Sequence, residues 1–277
     1  MCAALCVVAL LEFLFFSRVS APAGAVPEQG VRMPILMYHS IVNQPSRWGT
    51  YVISADELEA DLKYIQQQGY TTVTIADLIC YVYDGMPLPE KPIMLTFDDG
   101  YYNNYLYAVP LLQKYHMRAV LSIVGHYTDQ YSLVKESDPA YSHMTWEQVK
   151  EVADSGVMEI QNHSYNLHTI GSSRTASMKV SGESIEHYRT VLISDAIRLQ
   201  AMIDRVTGRL PEGFTYPFGL ISNDSTPILR QLGFRATLSC YSGINTITRE
   251  PDCLFLMKRL LRPHGRSASA ILAQALK

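Results

Sequence analysis

Short apolar runs that each end in a chemically capable residue recur along this chain, and they constrain its fold more than any other feature. Ile35-Leu36-Met37-Tyr38 ends at His39, and Pro92-Ile93-Met94-Leu95-Thr96-Phe97 ends at Asp98-Asp99-Gly100. Ala119 to Gly125 ends at His126, and Val157 to Gln161 ends at Asn162-His163. Such runs, bounded by turn residues, read as buried strands. Between them lie helical stretches. Ser54-Ala55-Asp56-Glu57 has a capping-box pattern and opens a helix with Leu58, Leu62 and Ile65 on one face, up to Gly69. Further helices are expected over Ala76–Tyr83, Asn104–His116 (with Pro110 as a kink or restart), Trp146–Ser155, Ser184–Thr207 and Ser225–Leu232. Strands are expected at Thr71–Ile75, Gly213–Tyr216 and Arg235–Ser239. Alternation at this spacing predicts βα units, a mostly parallel sheet and an α/β fold. A chain of 277 residues suits one such domain.

Two adjacent carboxylates at a strand end are a poor choice for structure alone, although Asp and Gly are also common turn residues. Side chains alternate faces along a strand, but the turn at Gly100 can aim both Asp98 and Asp99 into one cavity. Like charges so close raise at least one pKa unless a cation intervenes. With a metal there, one carboxylate binds it and the other stays free to take a proton from water. His163 and His168 lie five residues apart just after a strand. Two neutral imidazoles plus one carboxylate form a ligand set that leaves positions open for water and substrate. Taken singly, either histidine reads as a surface or packing residue. Combined with Asp98-Asp99, the metal reading is the better one.

The formal net charge is −3, charged residues make up 18%, and no basic block exists, which disfavours a nucleic-acid partner. Tyrosine is abundant, 18 against 8 phenylalanines, and such amphipathic rings suit carbohydrate contact as well as half-buried positions. Residues 1–26 are expected to be a signal peptide or N-terminal membrane anchor: an apolar stretch to Phe16 precedes the small residues Ser20 to Ala25. The absence of Lys or Arg before that stretch and the presence of Glu12 leave a buried helix as the alternative. Either leader places the rest, 27–277, outside the cytoplasm, secreted or anchored at the cell surface. Cys80, Cys240 and Cys253 have no C-x-x-C spacing, so a cysteine-ligated zinc is unsupported; Cys240 and Cys253 are either bridged or free.

Thr96-Phe97-Asp98-Asp99-Gly100, His163-Ser164-Tyr165-Asn166-Leu167-His168 and Tyr216-Pro217-Phe218-Gly219 resemble three ordered motifs of the polysaccharide deacetylase (NodB-homology) family. Ile35 to Ser40 and Trp146-Glu147-Gln148 resemble its approach segments, so the similarity spans about residues 32–262, with the motif-bearing part at about 88–262. The resemblance implies a distorted (β/α) barrel of about seven strands in a single catalytic domain. It implies a metal-dependent hydrolase that removes acetyl groups from a glycan. Asp98 would be the general base, and Asp99, His163 and His168 would hold a divalent metal. Zinc is the first expectation, with cobalt, manganese, nickel or iron(II) as alternatives. Tyr216, Pro217 and Phe218 would line the groove, with a backbone N–H for the oxyanion and Tyr216 and Phe218 as stacking platforms.

The chain departs from the family pattern in three places. The histidines stand five apart rather than four, and Thr215-Tyr216-Pro217 lacks the arginine that usually orients the base. Both variants resemble the branch acting on poly-N-acetylglucosamine, so the expected partner is an N-acetylglucosamine-containing cell-surface or cell-wall polysaccharide. An O-acetyl esterase on xylan-like glycans, or a non-catalytic glycan-binding scaffold, is the alternative. Third, the late leucine-x-histidine motif that supplies the general acid has no clear match. His264 is the nearest candidate for that acid; His39, placed beside the substrate, and His126 are the others.

Overall fold

The computed structural model describes residues 30–171 and 173–277, so the expected leader at 1–26 lies outside the described residues. Seven parallel strands form the main path of one sheet: β1 (Ile35–Tyr38), β2 (Pro92–Phe97), β3 (Ala119–Ile123), β4 (Met158–Asn162), β5 (Gly213–Thr215), β6 (Ala236–Leu238) and β7 (Leu260–Leu261). Their spatial order is β6-β5-β4-β3-β2-β1-β7. An eighth, Thr71–Thr72, pairs with the start of β2. The expected strand over Thr71–Ile75 is cut short because Thr74 and Asp77 form a capping box that turns the chain into a helix.

The sheet curls back on itself. Met257 N–H donates to Thr237 O at 2.9 Å, and Ser239 N–H donates to Met257 O at 3.0 Å. The same segment runs on into β7, which pairs with β1. The result is a distorted (β/α) barrel in a single domain, as the resemblance implied, built on the parallel sheet that the alternation predicted. Every residue of β2 and β3 is buried, as expected of parallel strands covered on both faces.

Among the described residues eight α-helices pack around it: α1 (Ala55–Gln67), α2 (Ile75–Asp84), α3 (Val109–Lys114), α4 (Gly125–Val134), α5 (Trp146–Asp154), α6 (Ile185–Thr207), α7 (Ser225–Gln231) and α8 (Ala268–Ala275). The capping box Ser54/Glu57 opens α1 as its sequence predicts, and Thr145/Gln148 does the same for α5. One turn of π-helix, Asn104–Ala108, leads into α3, with Pro110 near its start. Proline has no N–H for the ordinary helical bond there, so the wider turn costs little.

Alternation along β2 sorts its side chains. Leu95 and Phe97 join the outer core with Leu58, Leu62, Val149 and Leu199, whereas Met94 joins Val120, Leu238 and Met257 inside the barrel. Thr96 and Asp98 follow Met94 at period two, and one arginine, Arg259, reaches both. A second buried arginine ties the closure to the helices. Arg262 Nε lies 2.6 Å from Asp61 Oδ2 on α1, and Asp61 also accepts from Tyr38 and from the Ala268 N–H at the start of α8.

Candidate active site

The polar residues at the strand ends meet at the C-terminal mouth of the barrel, where such folds assemble their sites. Period two would send Asp99 to the outside. It is turned inward because its own backbone is left-handed (φ 72°), followed by Gly100 at 74°. The expected turn at Gly100 therefore begins one residue early. Ser164, next to His163, and Phe218 also have positive φ, 71° and 55°. All three loops of the site thus hold a non-glycine residue in a region that costs about 1 kcal/mol or more to occupy.

Asp98 and Asp99 are buried, at 2% and 7% exposure. Arg259 Nη1 donates to Asp98 Oδ1 at 2.8 Å, Nε donates to the Ser239 carbonyl at 2.8 Å, and the guanidinium is itself buried. Burial alone would raise the Asp98 pKa; Arg259, helped by His163 and His39, outweighs it and holds the carboxyl below its ordinary range. His39 Nε2 stands 3.9 Å from Asp98 Oδ2. Burial pulls the His39 pKa down against the two aspartates.

Asp99 Oδ1 faces His163 Nε2 at 3.4 Å and His168 Nε2 at 3.1 Å, with ligand atoms all within 4.8 Å of one another. His163 Nδ1 lies 2.7 Å from the Thr215 carbonyl. A carbonyl only accepts, so Nδ1 carries a proton and Nε2 is the nitrogen turned toward Asp99; burial opposes the charged ring, but the two aspartates raise the His163 pKa over it. Asp99 Oδ1 is buried and has no hydrogen-bond partner. One carboxylate oxygen and two imidazole nitrogens converging in a buried spot form a donor set that fits a divalent cation. The loop that carries both histidines is clamped from α6: Asp195 accepts the Tyr165 N–H at 2.8 Å and the Asn166 N–H at 2.7 Å.

These groups line a cavity of about 450 Å³ together with Tyr51, Tyr101, Tyr216, Phe218 and Cys240. Of the residues singled out from the sequence, Asp98, Asp99, His163, His168, His39 and Phe218 come together here. Phe218 is 43% exposed and packs its ring 4.2 Å from His168. Tyr216 reaches the wall but is wholly buried, its hydroxyl spent on Ser225 and Thr226, so it cannot offer its face to a sugar. Pro217 is buried in the turn and does not line the cavity. His264 does not belong to the site: it is paired with Glu57 Oε2 at 2.8 Å and leans on Trp48, where α1 meets the turn after β7. His126 is exposed at the start of α4. Cys80, Cys240 and Cys253 are free, so Cys240 and Cys253 are not bridged.

Sequence reasoning missed Arg259, which occupies the role left vacant in the Thr215-Tyr216-Pro217 segment. Its signal was the pair Lys258-Arg259 set in the otherwise apolar stretch Leu254 to Leu261. A buried arginine demands a buried carboxylate.

The sequence profile of the polysaccharide deacetylase family matches residues 85–237. The chain belongs to this family. It is 27% identical over 227 residues to the poly-beta-1,6-N-acetyl-D-glucosamine N-deacetylase of Escherichia coli K12, a match covering 76% of this chain but 34% of that protein. The de-N-acetylase of Aggregatibacter actinomycetemcomitans superposes with a TM-score of 0.75 at 26% identity, covering 88% of this chain and 99% of the other. IcaB of Ammonifex degensii gives 0.72 at 26%, covering 90% and 99%. The family's carbohydrate deacetylase chemistry is therefore the frame for the cavity just described.

Proposed function

We propose that this chain is a metal-dependent hydrolase that removes N-acetyl groups from an N-acetylglucosamine polysaccharide outside the cytoplasm. The observation that carries the reading is one cavity holding an arginine-paired aspartate, Asp98, beside the Asp99, His163 and His168 ligand set. Asp99, His163 and His168 would hold the cation, zinc first. When bound, it supplies Lewis-acid polarisation of the acyl oxygen and acidifies water.

Asp98 takes the proton of the attacking water. Arg259 occupies Oδ1, which leaves Oδ2 on the His39 side to do so. The Tyr216 N–H is committed to the Leu238 carbonyl, Gly219 N–H to Tyr216 O, and Pro217 has none, so the turn can offer the oxyanion only the N–H of Phe218. Amide cleavage needs the leaving nitrogen protonated, because an amide anion is too basic to depart. His39 is the imidazole that faces the cavity on the Asp98 side and is outside the ligand set; it takes up the proton that Asp98 removes from water and passes it to the leaving nitrogen. The names of the Escherichia coli and Aggregatibacter relatives support N-deacetylation over ester cleavage.

The catalytic domain runs over 27–277, and residues 1–26 deliver or anchor it at the cell surface. Among the described residues no helix is long and apolar enough to cross a membrane. The test is acetate release from N-acetylglucosamine oligomers of one to six units beside acetylated xylan. N-acetylglucosamine oligomers should be the better substrates, and Asp98→Asn should keep fold and metal while losing about 10²–10⁴-fold in turnover. A clear preference for xylan would leave the O-acetyl esterase reading standing.

A further inference from the structure

Neither ring nitrogen of His39 is held by a hydrogen bond. Nδ1 has no partner, and Nε2 stands 3.9 Å from Asp98 Oδ2, beyond bonding distance. A histidine that moves protons ordinarily has its second nitrogen tied to a carbonyl or carboxylate, which fixes the ring. Here packing has to fix it. Among the described residues the aromatic ring set against His39 is Tyr51, centroid 4.8 Å away, and Tyr51 also lines the catalytic cavity. The Tyr51 carbonyl accepts the Ser40 N–H at 3.0 Å, which brings its backbone alongside the end of β1.

Tyr51 is itself 55% exposed and closes a loop, 43–51, whose residues 43–47 are all exposed. Its orientation therefore depends on what holds that loop. Trp48 Nε1 donates to the Val42 carbonyl at 2.6 Å and folds the loop on itself. Arg47 donates to the Ala140 carbonyl at 3.2 Å, and Asn43 Oδ1 accepts the Ala55 N–H at 3.1 Å. The tie nearest Tyr51 is His264. Its N–H donates to the Gly49 carbonyl at 2.9 Å, its ring lies 4.9 Å from that of Trp48, and its Nδ1 lies 2.8 Å from Glu57 Oε2. Glu57 is fixed in turn by the Ser54 and Gly265 N–H groups and by Arg262. One exposed histidine thus joins the start of α1 to the loop, three residues ahead of the ring that packs on His39.

We infer that His264 is a positioning residue for the reaction: it latches the 43–51 loop to α1 and, through Tyr51, sets the orientation in which His39 meets the leaving nitrogen. The inference rests on the proposed function, since it takes His39 to carry that proton. It gives His264 a part in turnover without contact with substrate or with the reacting atoms.

The experiment measures kcat and KM of the zinc-loaded chain on an N-acetylglucosamine pentamer and on the aryl ester nitrophenyl acetate. The variants are His264→Ala, Tyr51→Ala and the two combined, with His39→Ala as reference; His264 and Tyr51 are exposed, so neither substitution threatens the fold. An aryloxide departs without a proton, whereas an amine does not. On the pentamer each single variant should lose about tenfold in kcat with KM held within about twofold, because proton delivery to nitrogen belongs to the transition state. The combined variant should be no worse than Tyr51→Ala within about twofold, since His264 acts through that ring. Losses on the ester should be at least about fivefold smaller, and Tyr51→Phe, which keeps the ring, should recover most of the lost rate. Losses that multiply in the combined variant, or equal losses on both substrates, would overturn the inference. Full activity of His264→Ala beside a slow His39→Ala would overturn it too, and would leave the proton role of His39 intact. A His39→Ala variant as fast as the unaltered chain on the pentamer would overturn that role and the inference with it. An unaltered chain inactive on every N-acetylglucosamine substrate would overturn the deacetylase reading as well.

Discussion

Replacing Arg259 by methionine should separate the electrostatic role of this residue from its packing role. Arg259 and Asp98 are 1% and 2% exposed, so neither charge can turn to solvent when the other is removed. The substitution takes away the 2.8 Å bond to Asp98, a 3.3 Å bond to Thr96 and the 2.8 Å bond to the Ser239 carbonyl. Breaking a buried pair from one side typically costs about 3–5 kcal/mol, mostly for the charge left behind. The neutral bond to Ser239 adds about 1 kcal/mol. Arg259→Met should therefore lose about 4 kcal/mol or more, a fall of roughly 10 °C in Tm for a domain of this size. In Asp98→Asn the stranded charge is absent, so the same substitution should cost only about 1–2 kcal/mol. Urea unfolding of the four proteins, with chelator present so that bound metal adds nothing, gives the coupling directly. A coupling of about 2–3 kcal/mol is expected. Additivity within about 0.5 kcal/mol would refute the argument that Arg259 is there for Asp98.

Three further outcomes follow from the same geometry. His163→Ala and His168→Ala should each lose stoichiometric metal by elemental analysis, whereas Asp98→Asn should retain it. Asp195→Asn, which replaces an acceptor of two backbone N–H groups with an amide that cannot accept both, should weaken metal affinity about 10–100-fold in a chelator competition without contacting the metal. Glu57 should give stability an acid limb. Burial opposes ionisation there, but His264, the Gly265 and Ser54 N–H groups and Arg262 hold its pKa down to about 2. A depressed carboxyl stabilises fully above its ordinary value of 4.5 and loses that contribution as pH falls toward 2. Glu57→Gln should flatten urea midpoints across that window, and an unchanged slope would contradict the assignment.

Much of the barrel was legible because strand and helix periods dominate local sequence. The run from Pro92 to Phe97 and the boxes at Ser54 and Thr145 are each decided by neighbouring residues. Helix α4 was not legible: Gly125-His126-Tyr127-Thr128-Asp129 lacks an apolar stripe, and only Gly125 and Thr128 are buried along it. β7 is two residues long, too short for any pattern, and is defined by its pairing with β1. Asp98, Asp99 and His163, three of the residues proposed for the site, were readable because they stand beside strand ends. Arg259 and the clamp from Asp195 act across 161 and about 30 positions of chain, so no local window contains both partners.

The closure through Met257–Leu261 also orders events during synthesis. By the time His168 has emerged, the chain holds every expected metal ligand, yet Asp98 still lacks its arginine. Until the last strand lands, β1 and β6 present unpaired backbone edges, which invite pairing with other chains. A chain clipped just before Met257 keeps the expected ligands together with Asp195 and Thr215 but lacks Arg259, so it should bind metal without turning over substrate, and the closing segment decides whether the barrel matures or aggregates.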